Sequence, residues 1–308
     1  ARQVTAAGRA FVAQTGADPF FLLLHYFDVH APYQPPAPFD RMYYDGDETA
    51  GDGEQIYDML MSDRNRAQPK QRNKGMYMWL RGVTDLEVPA RQYAAGVSVA
   101  DDHVGQVLAT PTEEGLYDDT LIVLLSDHGE HLTEHEIYFT HKLPYQETMH
   151  VPLLIKLPRG RLAGTVVDEP VSLVDVLPTV LEVCGLAVPP DLDGRSLLDS
   201  MAGVPGESLI LAETGALPND YTKALVQWPW KLMVTRLLDE VTYELYNLEE
   251  DPGELRNVID EHPNDANRLR LNLWTMIDPE EPLFATATEE RPAELDEAAK
   301  ERLKALGY

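Results

Sequence analysis

Short apolar runs, each bounded by turn-forming residues, alternate with stretches of helical spacing over the first two thirds of this sequence. The apolar runs cover residues 19–27, 120–126 and 151–158. Between the first two runs, apolar side chains recur at helical spacing from Arg91 to Thr110. We interpret the runs as buried strands, and buried strands that alternate with helices are typical of an α/β fold with a mostly parallel sheet.

The pattern changes after about Ser200. Several short apolar segments joined by turns follow, which is typical of an antiparallel sheet. We therefore predict two parts: an α/β domain over residues 1–200 and a C-terminal subdomain with a small antiparallel sheet over residues 201–308. A short amphipathic helix is predicted over residues 295–306.

Residues 44–75 interrupt the α/β pattern. Within this segment, residues 44–55 and 62–75 are polar, contain Gly and Asp and show no period. A loop of that length in a compact domain is usually functional or disordered. We interpret it as an insertion or lid, and it holds the basic cluster Arg64, Arg66, Lys70, Arg72 and Lys74.

Charge and hydropathy exclude several classes of protein. The chain has 25 Lys and Arg residues against 52 Asp and Glu, a net charge of −27, which argues against a nucleic-acid partner because phosphates bind basic patches. The longest apolar runs are about five residues, far short of the ~20 that a membrane helix needs. Acidic excess with only eight Lys residues is typical of adaptation to high salt, although an ordinary acidic soluble enzyme has the same composition. No motif identifies the compartment or the oligomeric state.

A second helix is predicted to begin near Asp175 and to end at Gly185. Its apolar side chains, Cys184 among them, recur on one face. Cys184 is the single cysteine, so an intrachain disulfide and a multi-cysteine zinc site are excluded. We expect Cys184 to be a buried packing residue rather than a nucleophile.

Three loops next to the predicted strands carry side chains that suit a reaction centre. Asp127 and His128 lie in the segment Ser126–Glu130 directly after one strand, and His30 follows another. His141 and Lys142 precede the third strand. Ligand sites of open α/β sheets lie beyond the carboxyl ends of the strands, and Asp and His are ligands for divalent cations. Taken singly, each loop is as well explained by a strand cap, a surface histidine or a solvated lysine; taken together they would face one crevice.

Five further histidines are interpreted mainly as structural or rim residues. They are His25, His103, His131, His135 and His150.

Seven segments, in this order, resemble the sulfatases, a branch of the alkaline phosphatase superfamily. They are FFLLLHYFDVHAPY, YAAGVSVADDHVGQVL, DDTLIVLLSDHGEHLTEH, YQETMHVPLLIKLP, VSLVDVLPTVLEVCGL with DLDGRSLLDSM, LYNLEEDPGELRNV and ERLKALGY. The resemblance implies a three-layer αβα sandwich and hydrolysis of a sulfate ester. It also implies a divalent metal, usually Ca²⁺, with Mg²⁺ and Mn²⁺ as alternatives.

The resemblance also implies roles for individual residues. Asp127 and His128 match a metal-ligand pair, and His30 matches a histidine that hydrogen-bonds the sulfate or the leaving oxygen. Lys142 or His141 lies where the family places a sulfate-contacting side chain, and the spacing leaves both open.

One family motif is not in this sequence. The nucleophile of the family is a formylglycine made from Cys or Ser in a C/S-x-P-S-R motif, preceded by an Asp pair that also binds the metal. We expect these parts on a segment that precedes residue 1, and we expect this chain alone to be inactive. The alternative is a complete chain that has lost catalysis.

Two other functions stay open at this point. One is a phosphodiesterase or phosphonate hydrolase of the same superfamily, since an Asp-His pair after a strand serves those enzymes too. The other is a non-catalytic protein that binds an anionic ligand. For a sulfatase, carbohydrate, aryl and alkyl sulfates are all compatible with the sequence.

Overall fold

The computed structural model describes residues 1–16, 18–51, 53–61, 75–204, 206, 208–217, 220–237 and 240–276. Its α-helices are α1 (Arg2–Thr15), α2 (Ile56–Met61), α3 (Glu87–Glu113), α4 (Gln146–Met149), α5 (Val176–Val183), α6 (Leu198–Met201) and α7 (Pro263–Met276). Its strands are β1 (Ile122–Leu125), β2 (Leu153–Lys156), β3 (Ile210–Leu217), β4 (Asp220–Gln227), β5 (Trp230–Leu237) and β6 (Glu240–Asn247). In this part of the chain, no helix is long and apolar enough to cross a membrane.

Helix α3 confirms the helical spacing predicted from Arg91 to Thr110. It buries Val88, Ala95 and Val99 and packs against α1. The contact is partly polar, because Thr5 Oγ1 lies 3.0 Å from His103 Nδ1. His103 therefore has the structural role that the sequence predicts.

Strands β1 and β2 confirm two of the three predicted strands, but not their predicted burial, since Leu125 is 41 % and Leu154 is 59 % exposed. They pair antiparallel, with Val123 opposite Ile155. A mostly parallel sheet requires strands that pair in parallel. Among the strands assigned in the described ranges, none pairs in parallel with β1 or β2. The α/β class itself is confirmed.

The predicted strand over residues 19–27 was wrong for this structure. The segment alternates between more and less exposed residues, as a strand does, but it belongs to no assigned strand. Phe21 is 81 % and Leu23 is 77 % exposed. A strand is defined by its ladder of backbone hydrogen bonds, so an apolar alternating sequence alone does not produce one.

The C-terminal part confirms the predicted antiparallel sheet. Its order is β3-β4-β5-β6 and every neighbouring pair is antiparallel. Helix α7 covers one face, where Leu269 and Leu273 join the core formed by Leu225, Leu232 and Leu245. The helix predicted over residues 295–306 lies outside the described residues.

A shared apolar core joins this sheet to the α/β part. Ile137 and Tyr145, from the chain between β1 and β2, pack with Ala224, Met233 and Tyr246 of the sheet. The contact places β5 and the loop after β6 directly beside α4. It creates a buried boundary between the two parts.

The segment 44–75 is not wholly a loop. Helix α2 buries Ile56, Tyr57 and Leu60, in a core that also contains Tyr33 and Phe139. The expectation of an aperiodic insertion was therefore wrong for residues 56–61, because their apolar side chains fall on one helical face. The basic cluster Arg64–Lys74 lies outside the described residues, and the division at residue 200 stays a prediction.

The predicted burial of Cys184 was wrong. Helix α5 runs from Val176 to Val183, close to the predicted bounds, with Asp175 as its N-cap and Cys184 as its C-cap. Gly185 follows with a φ of 69°. However, the buried residues of α5 are Pro178 and Thr179, and Cys184 is exposed. The face of α5 that packs against the core is therefore opposite to the apolar face that the sequence predicts.

Candidate functional site

The loop after β1 is fixed by a close approach between two backbones. Gly129 N–H donates to Thr148 O at 2.8 Å, and a Cβ at residue 129 would lie 2.0 Å from Glu147 O. Only glycine leaves room for this contact. The loop is thereby held against α4, with Asp127 and His128 presented at its outer side.

Asp127 and His128 present two metal-type donors at the same place. His128 Nδ1 lies 2.8 Å from Gly129 O, and since a carbonyl only accepts, Nδ1 carries the proton and Nε2 keeps its lone pair. His128 Nε2 lies 3.8 Å from Asp127 Oδ2. A backbone carbonyl that accepts from the other ring nitrogen and so fixes the tautomer is typical of metal-binding histidines. The pair therefore fits the divalent cation that its residue types indicate.

His30 and His141 lie next to this pair. The ring centroid of His141 is 4.1 Å from that of His128 and 5.5 Å from that of His30. His30 donates through Nδ1 to Ala31 O at 2.7 Å and stacks on Phe27 at 4.3 Å. Burial lowers the pKa of His30. The three loops predicted to face one crevice do meet in the structure.

Glu130 is a member of this group that the sequence analysis missed. Its side chain is only 5 % exposed, and Glu130 Oε2 lies 3.8 Å from His141 Nδ1. Burial raises the pKa of Tyr33, and the charge of Glu130 raises it further. Glu130 follows His128 by two positions in the same loop, so the loop could have suggested it. We call Asp127, His128, Glu130, His30 and His141 the outer cluster.

The side chain of Lys142 is exposed. The ring contacts with His30 and His128 belong to His141. The geometry therefore favours His141 of the two open alternatives, and the role of Lys142 stays a prediction.

The histidines predicted as structural or rim residues differ from one another. His150 is exposed, and His25 touches Phe27 edge-on. His131 and His135 instead lie beside Glu147, a carboxylate that no sequence motif singled out.

The structure has an alkaline-phosphatase-like α/β fold. The phosphonate monoester hydrolase of Silicibacter pomeroyi superposes with a TM-score of 0.69 at 23 % identity, covering 88 % of this chain and 59 % of that one. A protein solved in complex with its substrate D-glucosamine-2-N,6-O-disulfate superposes with a TM-score of 0.66 at 18 % identity, covering 92 % and 71 %. Because both sequence identities are low, these superpositions show only that the fold is shared.

The chain belongs to the sulfatase family, whose model matches residues 2–186. The arylsulfatase K of Xenopus laevis is 30 % identical over 197 residues, which are 60 % of this chain and 36 % of that protein. This chain thus spans about a third of the length of that relative.

Proposed function

We propose that this chain carries part of the active site of a sulfuric ester hydrolase that cleaves a sulfate monoester. The observation that carries the proposal is the convergence of His30, His128 and His141, with Asp127 and Glu130, beyond the end of β1. Family membership and the similarity to arylsulfatases support sulfate esters as the substrate class.

Asp127 and His128 would hold a divalent cation, with Ca²⁺ as our first candidate and Mg²⁺ or Mn²⁺ as alternatives. Such an ion supplies positive charge where the sulfate oxygens bind. The chain needs a concentrated local charge because its net charge of −27 repels an anionic substrate.

The two remaining imidazoles would bind and orient the ester. His30 Nδ1 is committed to Ala31 O, so Nε2 is the ring atom left to contact the sulfate or the leaving oxygen. Glu130 would orient His141 through Nδ1, which turns its Nε2 away from Glu130. Positioned groups of this kind contribute about 10²–10⁴-fold to a rate when they transfer a proton.

The nucleophile is also part of the proposal, although it does not lie among the residues that the structure describes. We propose that a formylglycine on sequence encoded before Ala1 supplies it. The support is that this chain matches 36 % of the arylsulfatase K relative.

The test compares activities of the protein expressed with the sequence encoded upstream of Ala1. We expect turnover of an aryl sulfate, loss of at least about 100-fold on Asp127→Asn, and the C/S-x-P-S-R motif upstream. Absence of both motif and turnover, with sulfate binding retained, would instead identify a non-catalytic anion-binding protein.

A second candidate function is hydrolysis of a phosphonate or phosphate ester. The superposition on a phosphonate monoester hydrolase favours it. Paired aryl esters with the same leaving group distinguish the two, since a preference of more than about tenfold for the phosphorus ester would contradict the sulfatase proposal.

A further inference from the structure

A second group of polar side chains lies at the buried boundary between the α/β part and the C-terminal sheet. We call His131, His135, Glu147, Lys231 and Glu254 the inner cluster. The side chains of His131, Lys231 and Glu254 are 0 % exposed, and those of His135 and Glu147 are 11 % and 22 % exposed. These residues come from the loop after β1, from α4, from β5 and from the loop after β6.

The tautomer of His131 is fixed by its surroundings. His131 Nε2 lies 3.1 Å from Leu143 O, so Nε2 carries the proton and donates it. The lone pair of His131 Nδ1 then faces Glu147 Oε2 at 4.0 Å. Burial lowers the pKa of His131, which favours this neutral form.

Two hydrogen-bond acceptors therefore face each other without a donor. Among the described residues, neither His131 Nδ1 nor Glu147 Oε2 has a hydrogen-bond partner. Leaving buried polar atoms unsatisfied costs about 1–3 kcal/mol each. A cation between the two acceptors would satisfy both.

His135 adds a third donor on the same side. His135 Nε2 lies 3.6 Å from Glu147 Oε2, and the His135 ring stacks on Tyr145 at 3.8 Å and 9°. One ligand atom each of His135, Glu147 and Glu254 lies within 4.8 Å of the others. Donors bound at ~2.0–2.1 Å to one tetrahedral ion are about 3.4 Å apart, so closing these distances requires only small side-chain shifts.

The charge of the inner cluster also favours a cation. Lys231 Nζ lies 2.6 Å from Glu254 Oε1, and Glu147 and Glu244 also act on the Lys231 charge. Three carboxylates thus surround one ammonium group. Glu254 Oε2 accepts a hydrogen bond from Gln146 N at 2.6 Å, but carboxylate oxygens have further lone pairs that can bind an ion.

We propose that His135, Glu147 and Glu254 bind a divalent transition-metal ion of the zinc class, beside the unpaired Nδ1 of His131. Imidazole nitrogens combined with carboxylates suit Zn²⁺, whereas Ca²⁺ and Mg²⁺ prefer oxygen ligands alone. The ion would connect the α/β part to the C-terminal sheet. The proposal is independent of the reaction at the outer cluster.

The experiment titrates zinc into a background that lacks the outer metal ligands. Asp127→Asn with His128→Asn removes that pair, and Cys184→Ser removes the exposed thiol. Equilibrium dialysis of this chelator-treated protein against zinc chloride is expected to give one ion per chain. His135→Asn or Glu147→Gln, added to the background, should weaken binding by about 100-fold. The exposed His150, changed to Asn in the same way, is the matched control and should leave binding unchanged.

Zinc K-edge absorption supplies a readout that does not need the variants to fold. The background protein is expected to show nitrogen and oxygen ligands with at least one imidazole. A background protein that binds no zinc, binding that survives His135→Asn undiminished, or a spectrum without imidazole would each overturn the proposal. If circular dichroism shows that a variant is unfolded, the absorption spectrum of the background protein decides.

Discussion

The outer and inner clusters differ in burial, although both use the loop after β1. Asp127 in the outer cluster is 68 % exposed, whereas Lys231 and Glu254 in the inner cluster are fully buried. Exposed ligands can exchange an ion or a substrate without a change in packing. Buried charges contribute to stability only while they are paired.

The two clusters also differ in how the chain assembles them. The outer cluster comes from the chain between β1 and β2 and from the segment that contains His30. The inner cluster joins α4 to the far C-terminal part, through residues such as Glu147 and Glu254. The outer cluster is thus suited to binding and chemistry, while the inner cluster ties the two parts of the molecule together.

The largest expected effect is on the buried ion pair. Lys231→Met leaves Glu254 buried with an unpaired charge, and we expect a loss of about 4 kcal/mol in the free energy of unfolding, measured in urea without metal. The double variant Lys231→Met, Glu254→Gln should recover most of this loss. Added zinc should reduce the cost of Lys231→Met, because the ion would replace the missing positive charge. If Lys231→Met were as stable as the parent protein, the result would contradict the buried pairing of Lys231 with Glu254.

The next largest effect is expected at the glycine that connects the clusters. A methyl group at residue 129 would lie 2.0 Å from Glu147 O, so Gly129→Ala must displace backbone and should cost about 3 kcal/mol. Gly105→Ala is the matched control, since nothing lies within 4 Å of its added Cβ and alanine favours the helix by about 0.5–1 kcal/mol. Equal stability of the two variants in urea unfolding would contradict the close approach.

The difference between the clusters also explains what the sequence could predict. The spacing from Arg91 to Thr110, the runs that form β1 and β2 and the turns of the C-terminal sheet are local signals, and the structure confirms them. The sequence predicts that His30, His128 and His141 lie close together because loops beside strands of one sheet share an edge. The three side chains do meet, although the strand predicted before His30 is not assigned in the structure.

The missed features depend on distant contacts. Nothing near Glu147 in sequence indicates that Lys231 and Glu254 pack beside it. Similarly, the alternating run 19–27 predicts a strand, but its ladder requires a partner elsewhere in the chain. The orientation of α5, and therefore the exposure of Cys184, is decided by which neighbours it packs against.

Metal removal distinguishes the ion proposed at the inner cluster from the ion proposed at the outer cluster. In the background protein without the outer ligands, zinc at about 100 times its Kd should add ~2.7 kcal/mol to the free energy of unfolding. A chelator should remove this gain, and Glu147→Gln should abolish it. If the gain persists in Glu147→Gln, zinc stabilises the chain through other residues.

The smallest effect on stability is expected in the outer cluster. Asp127→Asn removes a charge that is largely exposed, and we expect the free energy of unfolding to change by no more than about 0.5 kcal/mol, as measured in urea on the metal-free chain. If the proposed function is right, the same change should cost at least about 100-fold in sulfate-ester turnover, because the variant would lose one of the two proposed cation ligands. A small effect on the free energy of unfolding together with a large effect on turnover is typical of a binding residue. A loss of stability comparable to that of Lys231→Met would instead make Asp127 a structural residue like those of the inner cluster.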